Sequence, residues 1–174
     1  YRYRIIMDKT ILFSETQRFR QWWIWALLLL VNALMGYGLF KQLYLGQPWG
    51  DQPMGNTGLI MVAALVLAVT LLIYSIKLET FLRVDGIHVR FFPIHIKFRQ
   101  YTWDTIRRCY VRHYDPLSEF GGWGIRWGFG NGKAFNVSGN KGLQIEFRDN
   151  KKLLIGTRKY EELKNVLETS GKAS

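Results

Sequence analysis

"GLIMVAALVLAVTLLIYSIKLETFLRVDGIHVRFF", residues 58–92, changes physical character in mid-course. Its first 19 residues, Gly58 to Ile76, carry no charge. As a helix that run is long enough to cross a hydrocarbon core of about 30 Å. Beyond it the period changes. Leu82 and Val84, then Ile87, Val89 and Phe91, alternate with Arg83, His88 and Arg90. That is the two-residue period of half-buried strands. Asp85-Gly86 separates the two runs and is a strong hairpin signal. The stretch therefore predicts a membrane span that feeds directly into a β-hairpin.

Towards the N-terminus a second uncharged run of 19 residues, Trp22 to Phe40 (WWIWALLLLVNALMGYGLF), predicts a second span. Two buried core helices would demand a soluble shell that 174 residues cannot build. The connection, residues 41–57, is rich in Gly, Pro and polar residues and too short to be a domain. Trp22, Trp23 and Trp25 stand at one boundary of the first span, with Tyr44 and Trp49 near the other, where their amphipathic rings suit headgroup depth. Inside the spans, Asn32 and the Ala64-x-x-x-Ala68 spacing are the candidates for helix packing. Residues 1–21 read as an N-terminal arm with no apolar run, and no small-residue cleavage site follows the span. The first span is accordingly expected to be an anchor rather than a cleaved signal peptide. The sequence opens on Tyr1 rather than Met, which leaves the true N-terminus open.

The charge distribution gives the orientation. Residues 1–21 carry five Lys/Arg, the connection carries Lys41 alone, and residues 77–174 carry eighteen. Lys and Arg accumulate on the cytoplasmic side, so both termini are expected in the cytoplasm, with the short loop outside a bacterial inner membrane. The net charge of +11 then reflects topology and proximity to an anionic leaflet. No nucleic-acid partner is expected. The single cysteine, Cys109, excludes an intrachain disulfide and fits a reducing compartment.

After Pro93, which cannot donate to a strand ladder, "IKFRQY" (96–101) reads as a strand. Ile96 and Phe98 would face one way, with Lys97, Arg99 and Tyr101 the other. "TIRRCYVRHY" (105–114) is another, with Arg108, Tyr110, Arg112 and Tyr114 opposite Cys109 and Val111. Leu143, Ile145 and Phe147 form an inward set, Asp149-Asn150 turns, and residues 153–155 return. A helix closes the chain from about Lys159 to Thr169, with Tyr160, Leu163, Val166 and Leu167 on one face. Thr157 is its expected N-cap, and Glu161 and Glu162 suit its positive end. The expected plan is two spans (22–40 and 58–76) followed by a β-sandwich or barrel over 77–174. It would comprise six or seven antiparallel strands with one capping helix.

The glycine-rich stretch "EFGGWGIRWGFGNGKAFNVSGNKG" (119–142) invites a phosphate-loop reading. The pattern G-x-x-x-x-G-K-[ST] places backbone amides around phosphates and a hydroxyl on magnesium. Gly132-Lys133 supplies its G-K, but Trp127 stands five residues before and Ala134 follows. G-x-G-x-x-G fails as well: from Gly122, Gly128 or Gly130 the last glycine is replaced by Trp127, Lys133 or Phe135. The better reading is glycines that bend the strands of a small β domain, beneath Trp123 and Trp127 as space-filling rings.

The order "RFRQWW", two spans, "LETFLRVDGIHVRFFPIHIKFRQYTWDTI", "YDPLSEFGGWGIRWG", "FNVSGNKGLQIEFRDNKKLLIGT" and a closing "EEL" helix resembles an uncharacterised bacterial membrane-protein family. GGWGIR, NVSGNKG and LLIGT are its most specific segments. The resemblance covers nearly the whole chain and implies a cytoplasmic pleckstrin-homology-like domain. It implies no activity, substrate or catalytic residue.

Catalytic chemistry finds little support. His88 and His95 have odd spacing, and His113 lies four strand residues, about 13 Å, from Cys109, too far for adjacent metal ligands. Ser118 and Ser138 stand in turn-like contexts. No metal, cofactor or enzymatic activity is expected. The candidate contacts for an anionic headgroup or a partner are Lys97, Arg99, Arg108, Tyr110, Arg112, Arg126, Lys133 and Lys141, because cations interleaved with aromatics suit an anionic bilayer surface. The expected function is a binding or scaffolding domain on a two-helix anchor, an accessory subunit of a membrane protein assembly. A sensor of anionic lipid headgroups is the alternative.

Overall fold

The computed structural model describes residues 11–172. The chain divides into two compact units: residues 20–75, and residues 1–19 together with 76–174. The first contains helix α1 (Trp22–Leu39), extended by a π-helical turn at Phe40–Tyr44, and helix α2 (Asn56–Ser75). Both helices are long and apolar enough to cross a membrane, and most of their surface is uncovered by protein.

Where α1 and α2 touch, the side chains recur at spacings of three and four. Trp25, Leu28, Asn32, Met35 and Leu39 are the better-covered positions of α1, and Leu59, Ala63, Val66, Thr70 and Ile73 those of α2. Asn32 lies in this seam. Its Nδ2 donates to Thr70 Oγ1 at 2.8 Å and to the Leu28 carbonyl, while Thr70 Oγ1 donates to the Val66 carbonyl. Ala64 and Ala68, expected to pack, are exposed on the other side of α2. The α1 contact instead uses the row one residue away, which holds the hydrogen-bonding Thr70. Trp25 meets Tyr74 edge-on at 6.1 Å. The ring of Trp49 folds against Gly38, where a Cβ would stand 2.6 Å from it, so glycine is required there. Trp22 and Trp23 are exposed.

The second unit contains nine strands among the described residues. β1 (Ile11–Arg18), β2 (Lys77–Arg83), β3 (Gly86–Phe92) and β4 (Arg99–Thr102) form one antiparallel sheet in sequence order. β5 (Ile106–His113), β6 (Gly124–Gly128), β7 (Gly132–Asn136), β8 (Lys141–Phe147) and β9 (Lys152–Gly156) form the other, in the order β5-β8-β9-β7-β6. A short helix α3 (Pro116–Phe120) follows β5, and α4 (Tyr160–Thr169) ends the described chain. One core fills the space between the sheets. Phe13, Leu78, Leu82, Ile87, Val89 and Phe91 meet Cys109, Phe135, Val137, Leu143, Ile145, Leu153 and Ile155, and Leu163 and Leu167 of α4 close it.

Three expectations need correction. The segment 1–21 is not merely an arm. Residues 11–18 form β1, which pairs along its length with β2, from Ile11 opposite Arg83 to Arg18 opposite Lys77. Its alternation of Phe13, Glu15 and Gln17 inward is hidden in the sequence, because two of the three buried residues are polar. Residues 1–10, which carry Arg2, Arg4 and Lys9, lie outside the described residues. Second, the strand expected from Ile96 begins at Arg99, and residues 93–98 form a loop that leaves Ile96 exposed. Third, the sheets are not wholly antiparallel. GKAFN is a strand, β7, that lies parallel to β9. It also closes a local hairpin with β6, but its parallel partner lies after β8, so no local signal announces the parallel pairing.

Polar groups of β1 are satisfied at the far end of the chain. The Glu15 carboxylate, 7% exposed, accepts from Thr157 Oγ1 at 2.6 Å and from the Arg158 amide at 2.8 Å. Gln17 Nε2 donates to the Gly156 carbonyl at 2.6 Å. Thr157 therefore holds β1 rather than capping α4, whose N-cap position is Lys159. Removing a buried hydrogen-bonded acceptor costs about 1–3 kcal/mol. Glu15→Ala is expected to destabilise the protein by that amount and Glu15→Gln by less, read as melting temperature in detergent. A Glu15→Ala protein that melts with the wild type would contradict the assignment.

Candidate functional site

The strand register turns the cations of the second unit to three different places. β4 pairs Ile87 with Tyr101 and Val89 with Arg99. Tyr101, whose ring lies 5.2 Å from Phe147, packs on the core, so Arg99, two residues away, shares its inward side at the sheet margin. On β7, Lys133 shares a face with the buried Phe135 and pairs with Leu153 of β9. Lys151 and Lys152 enter from the β8–β9 turn. These four cations line one open cleft of about 560 Å³, with Tyr101, Phe147 and Trp127 as its aromatic walls. No carboxylate lines it among the described residues. A second hollow of about 580 Å³ adjoins it, sharing Tyr101, Phe147 and Lys151.

Within the cleft, Lys133 Nζ stands 4.5 Å from the centre of the Trp127 ring. Lys152 Nζ donates to the Gly130 carbonyl at 3.4 Å, and Lys151 Nζ pairs with Asp149 at 2.6 Å. His95 packs its ring 5.3 Å from Phe135. Burial, and then the charges of Arg99 and Lys133, hold its pKa below the ordinary value of 6.5. Four cations on one lining, with Asp149 paired to Lys151 and with Lys152 also bordering a hollow that holds Glu119 and Glu146, make an electropositive concavity suited to an anion that also offers apolar surface.

The glycine stretch builds one wall. Gly132 has φ +76°, and a Cβ there would strike the Lys152 carbonyl, so glycine lets β7 lie against the start of β9. Trp127 does not fill space as expected. It is 70% exposed, and Phe129 at the hairpin tip is fully exposed, because β6 is an edge strand with no sheet beyond it. Trp123 is partly covered and donates from Nε1 to the Gly139 carbonyl.

Of the expected contact residues, Arg99 and Lys133 come together in the cleft. Lys97 sits exposed on the β3–β4 loop. Arg108, Tyr110 and Arg112 lie on the outer face of the second sheet, and two of them have internal partners. Arg112 makes a two-point ion pair with Glu119 (3.1 and 2.7 Å) and donates to Gln144 Oε1. That guanidinium holds the Glu119 carboxyl below its usual range. Tyr110 OH lies 3.4 Å from Glu146, and Arg108 lies over the Tyr110 ring. Tyr114, expected beside them, is buried and accepts from Asn136 Nδ2. Arg126 donates to the Trp123 carbonyl, and Lys141 covers the Tyr160 ring of α4. Sequence reasoning missed Lys151 and Lys152. The "NKK" after Asp149 was the available signal, a pair of cations at the mouth of a recognised turn.

Among the described residues no group of three or more His, Cys, Asp or Glu is placed to hold a metal ion. Cys109 is buried, and burial pushes its thiol up to about 12. It is expected to resist alkylation at pH 8 in the folded protein and to react fully after denaturation, as mass spectrometry would show. Folded-state alkylation at the denatured rate would contradict its burial. For His95, a depressed folded pKa means that the unfolded chain binds the proton more readily. Its contribution is full above about 6.5 and is lost as pH falls through that value. Between pH 7.5 and 5.5 the wild type should lose more melting temperature than His95→Gln. Equal losses would contradict the assignment.

No curated protein and no solved structure matches the chain. A family model, described as a family of unknown function (DUF6141), matches residues 6–167. Those residues run from before β1 into α4, through both helices and both sheets, and the chain belongs to that family.

Proposed function

We propose that this protein is a non-enzymatic, two-span protein of a bacterial inner membrane with both termini in the cytoplasm. It presents a pleckstrin-homology-like β domain as a binding or scaffolding module within a larger membrane assembly. The pairing of β1 with β2 carries the reading. One strand precedes the two apolar helices and the other follows them, so both ends of the helical segment return to one folded domain. An even number of crossings satisfies that connection, and the excess of Lys and Arg outside residues 41–57 favours the cytoplasm for the β domain. The two sheets closed by α4 suit the plan that the sequence resemblance implies. Exposed Trp127 and Phe129 at an edge hairpin, and α-helical surface uncovered by protein, suit further protein partners. The buried, high-pKa Cys109 supports a non-enzymatic reading.

The test is extraction in mild detergent at native expression, followed by mass spectrometry of what co-purifies. Defined membrane proteins in stable ratio are expected. A monodisperse lone chain would overturn the assembly.

Binding of anionic lipid headgroups is the second reading, and the four-cation cleft favours it over the outer face of β5. Each cation near a membrane surface contributes about 1 kcal/mol. Lys151→Glu with Lys152→Glu is therefore expected to weaken binding of a short-chain phosphatidylglycerol to the full chain in neutral detergent by roughly tenfold or more. Arg108→Glu should have little effect. Unchanged affinity in the double variant removes the cleft as the site. The full chain is needed, because a fragment beginning at residue 77 would lack β1.

A further inference from the structure

The β3–β4 loop, residues 93–98, is the most apolar exposed segment of the first sheet. Ile94 and Ile96 are 64% and 76% exposed, and Phe98 is 39% exposed. The register fixes which end of the sheet this loop occupies. Lys77, the first residue of β2, pairs with Arg18, the last of β1, and with Phe92, the last of β3. The loop thus leaves the sheet at the end where β1 runs out towards α1 and β2 comes in from α2. Three residues, 19–21, separate β1 from α1, and Ile76 alone separates α2 from β2.

We propose that this loop is a membrane-contacting element, with Ile94 and Ile96 entering the interfacial zone of the leaflet next to the β domain. The inference rests on the reading of α1 and α2 as membrane spans. The chemistry of the loop fits that occupant. Exposed cations flank the isoleucines in sequence, Lys97 within the loop and Arg99 after it, while Lys77 and Arg90 on the adjoining strand ends share the Glu79 carboxylate. Apolar side chains flanked by Lys and Arg suit the boundary between acyl chains and anionic headgroups. The loop is also held in shape without a ligand. The His95 amide donates to the Phe91 carbonyl at 2.7 Å, and Arg90 Nη1 donates to the Ile96 carbonyl at 3.3 Å. The Arg90 guanidinium lies 4.4 Å from the centre of the Phe98 ring, which meets Phe81 edge-on. A preformed loop loses little conformational freedom on docking. The opposite end of the same sheet has no such apolar loop, and its charges, Arg83 and Asp85, are of both signs. There the β2–β3 turn carries Asp85, bonded to His88 and Gln100, and a lone exposed Val84.

The experiment uses the full chain in vesicles of phosphatidylcholine and phosphatidylglycerol. An environment-sensitive fluorophore is placed on Ile96→Cys, on Ile94→Cys or, at the opposite end, on Val84→Cys; the buried Cys109 does not compete for label. Lipids brominated along the acyl chain serve as quenchers. Flotation after an alkaline wash first establishes that the protein is integrated, and failure to float would count against the membrane spans themselves. For floating protein, loss of fluorescence at positions 94 and 96 and none at position 84 is expected. No quenching at 94 and 96, or equal quenching at all three positions, would overturn the proposal while leaving the spans intact.

Discussion

The pairing of β1 with β2 is the constraint on which the rest of the structure depends. Seven pairs, from Ile11 opposite Arg83 to Arg18 opposite Lys77, join strands on either side of a helical segment of more than fifty residues. Closing so long a loop is entropically unfavourable, although the cost grows only slowly with length. The ladder and the burial of Phe13 between the sheets oppose that cost, and pairing of α1 with α2 through Asn32 and Thr70 shortens the effective loop. The β domain is consequently discontinuous in sequence. Its first strand is made before the helices and its remaining eight after them.

The same strand carries polar side chains into the interior, where residues from the end of the chain satisfy them. Glu15 receives Thr157 and the Arg158 amide, and Gln17 reaches the Gly156 carbonyl. These bonds bind β1 to the segment that leads into α4, whose Leu163 and Leu167 complete the core. The first and last described elements are thus joined. The opposite margin, between β4 and the β6–β7 hairpin, stays open as a cleft with four cations and three aromatic walls. Closure on one side and openness on the other give the domain one concave electropositive surface.

Much of this was legible in the sequence. The two uncharged runs mark α1 and α2, and alternation marks β3; in β2 and β8 the buried polar residues Glu79, Thr80 and Gln144 interrupt it, and in β5 a bulge between Ile106 and Arg108 does. What escaped did so for physical reasons. β1 buries Glu15 and Gln17, so its pattern reads as polar throughout. β7 is five residues long, and besides its hairpin with β6 it takes a parallel partner, β9, from across β8, which leaves no local trace. The loop at 93–98 imitates a strand because its apolar residues alternate with His95 and Lys97 while facing solvent. The candidate contact residues divided for a similar reason. Alternation on β5 does separate Arg112 from Cys109, but it is silent about Glu119, which a turn of α3 brings to Arg112 as a two-point partner. Arg99 and Lys133 meet only because two different sheets bring them to the same margin.

The most direct test of the central pairing is a disulfide between β1 and β2 in the full chain. Ser14 lies opposite Phe81, and residues opposite one another in an antiparallel pair have Cα atoms about 4.5–5.5 Å apart, within disulfide range. Arg18 pairs with Lys77, four residues away from Phe81, and lies beyond that range. On mild oxidation, Ser14→Cys with Phe81→Cys should form an intramolecular disulfide in high yield, and Arg18→Cys with Phe81→Cys should not. Absence of the first bond, or equal yields of both, would contradict a β domain closed across its two apolar helices.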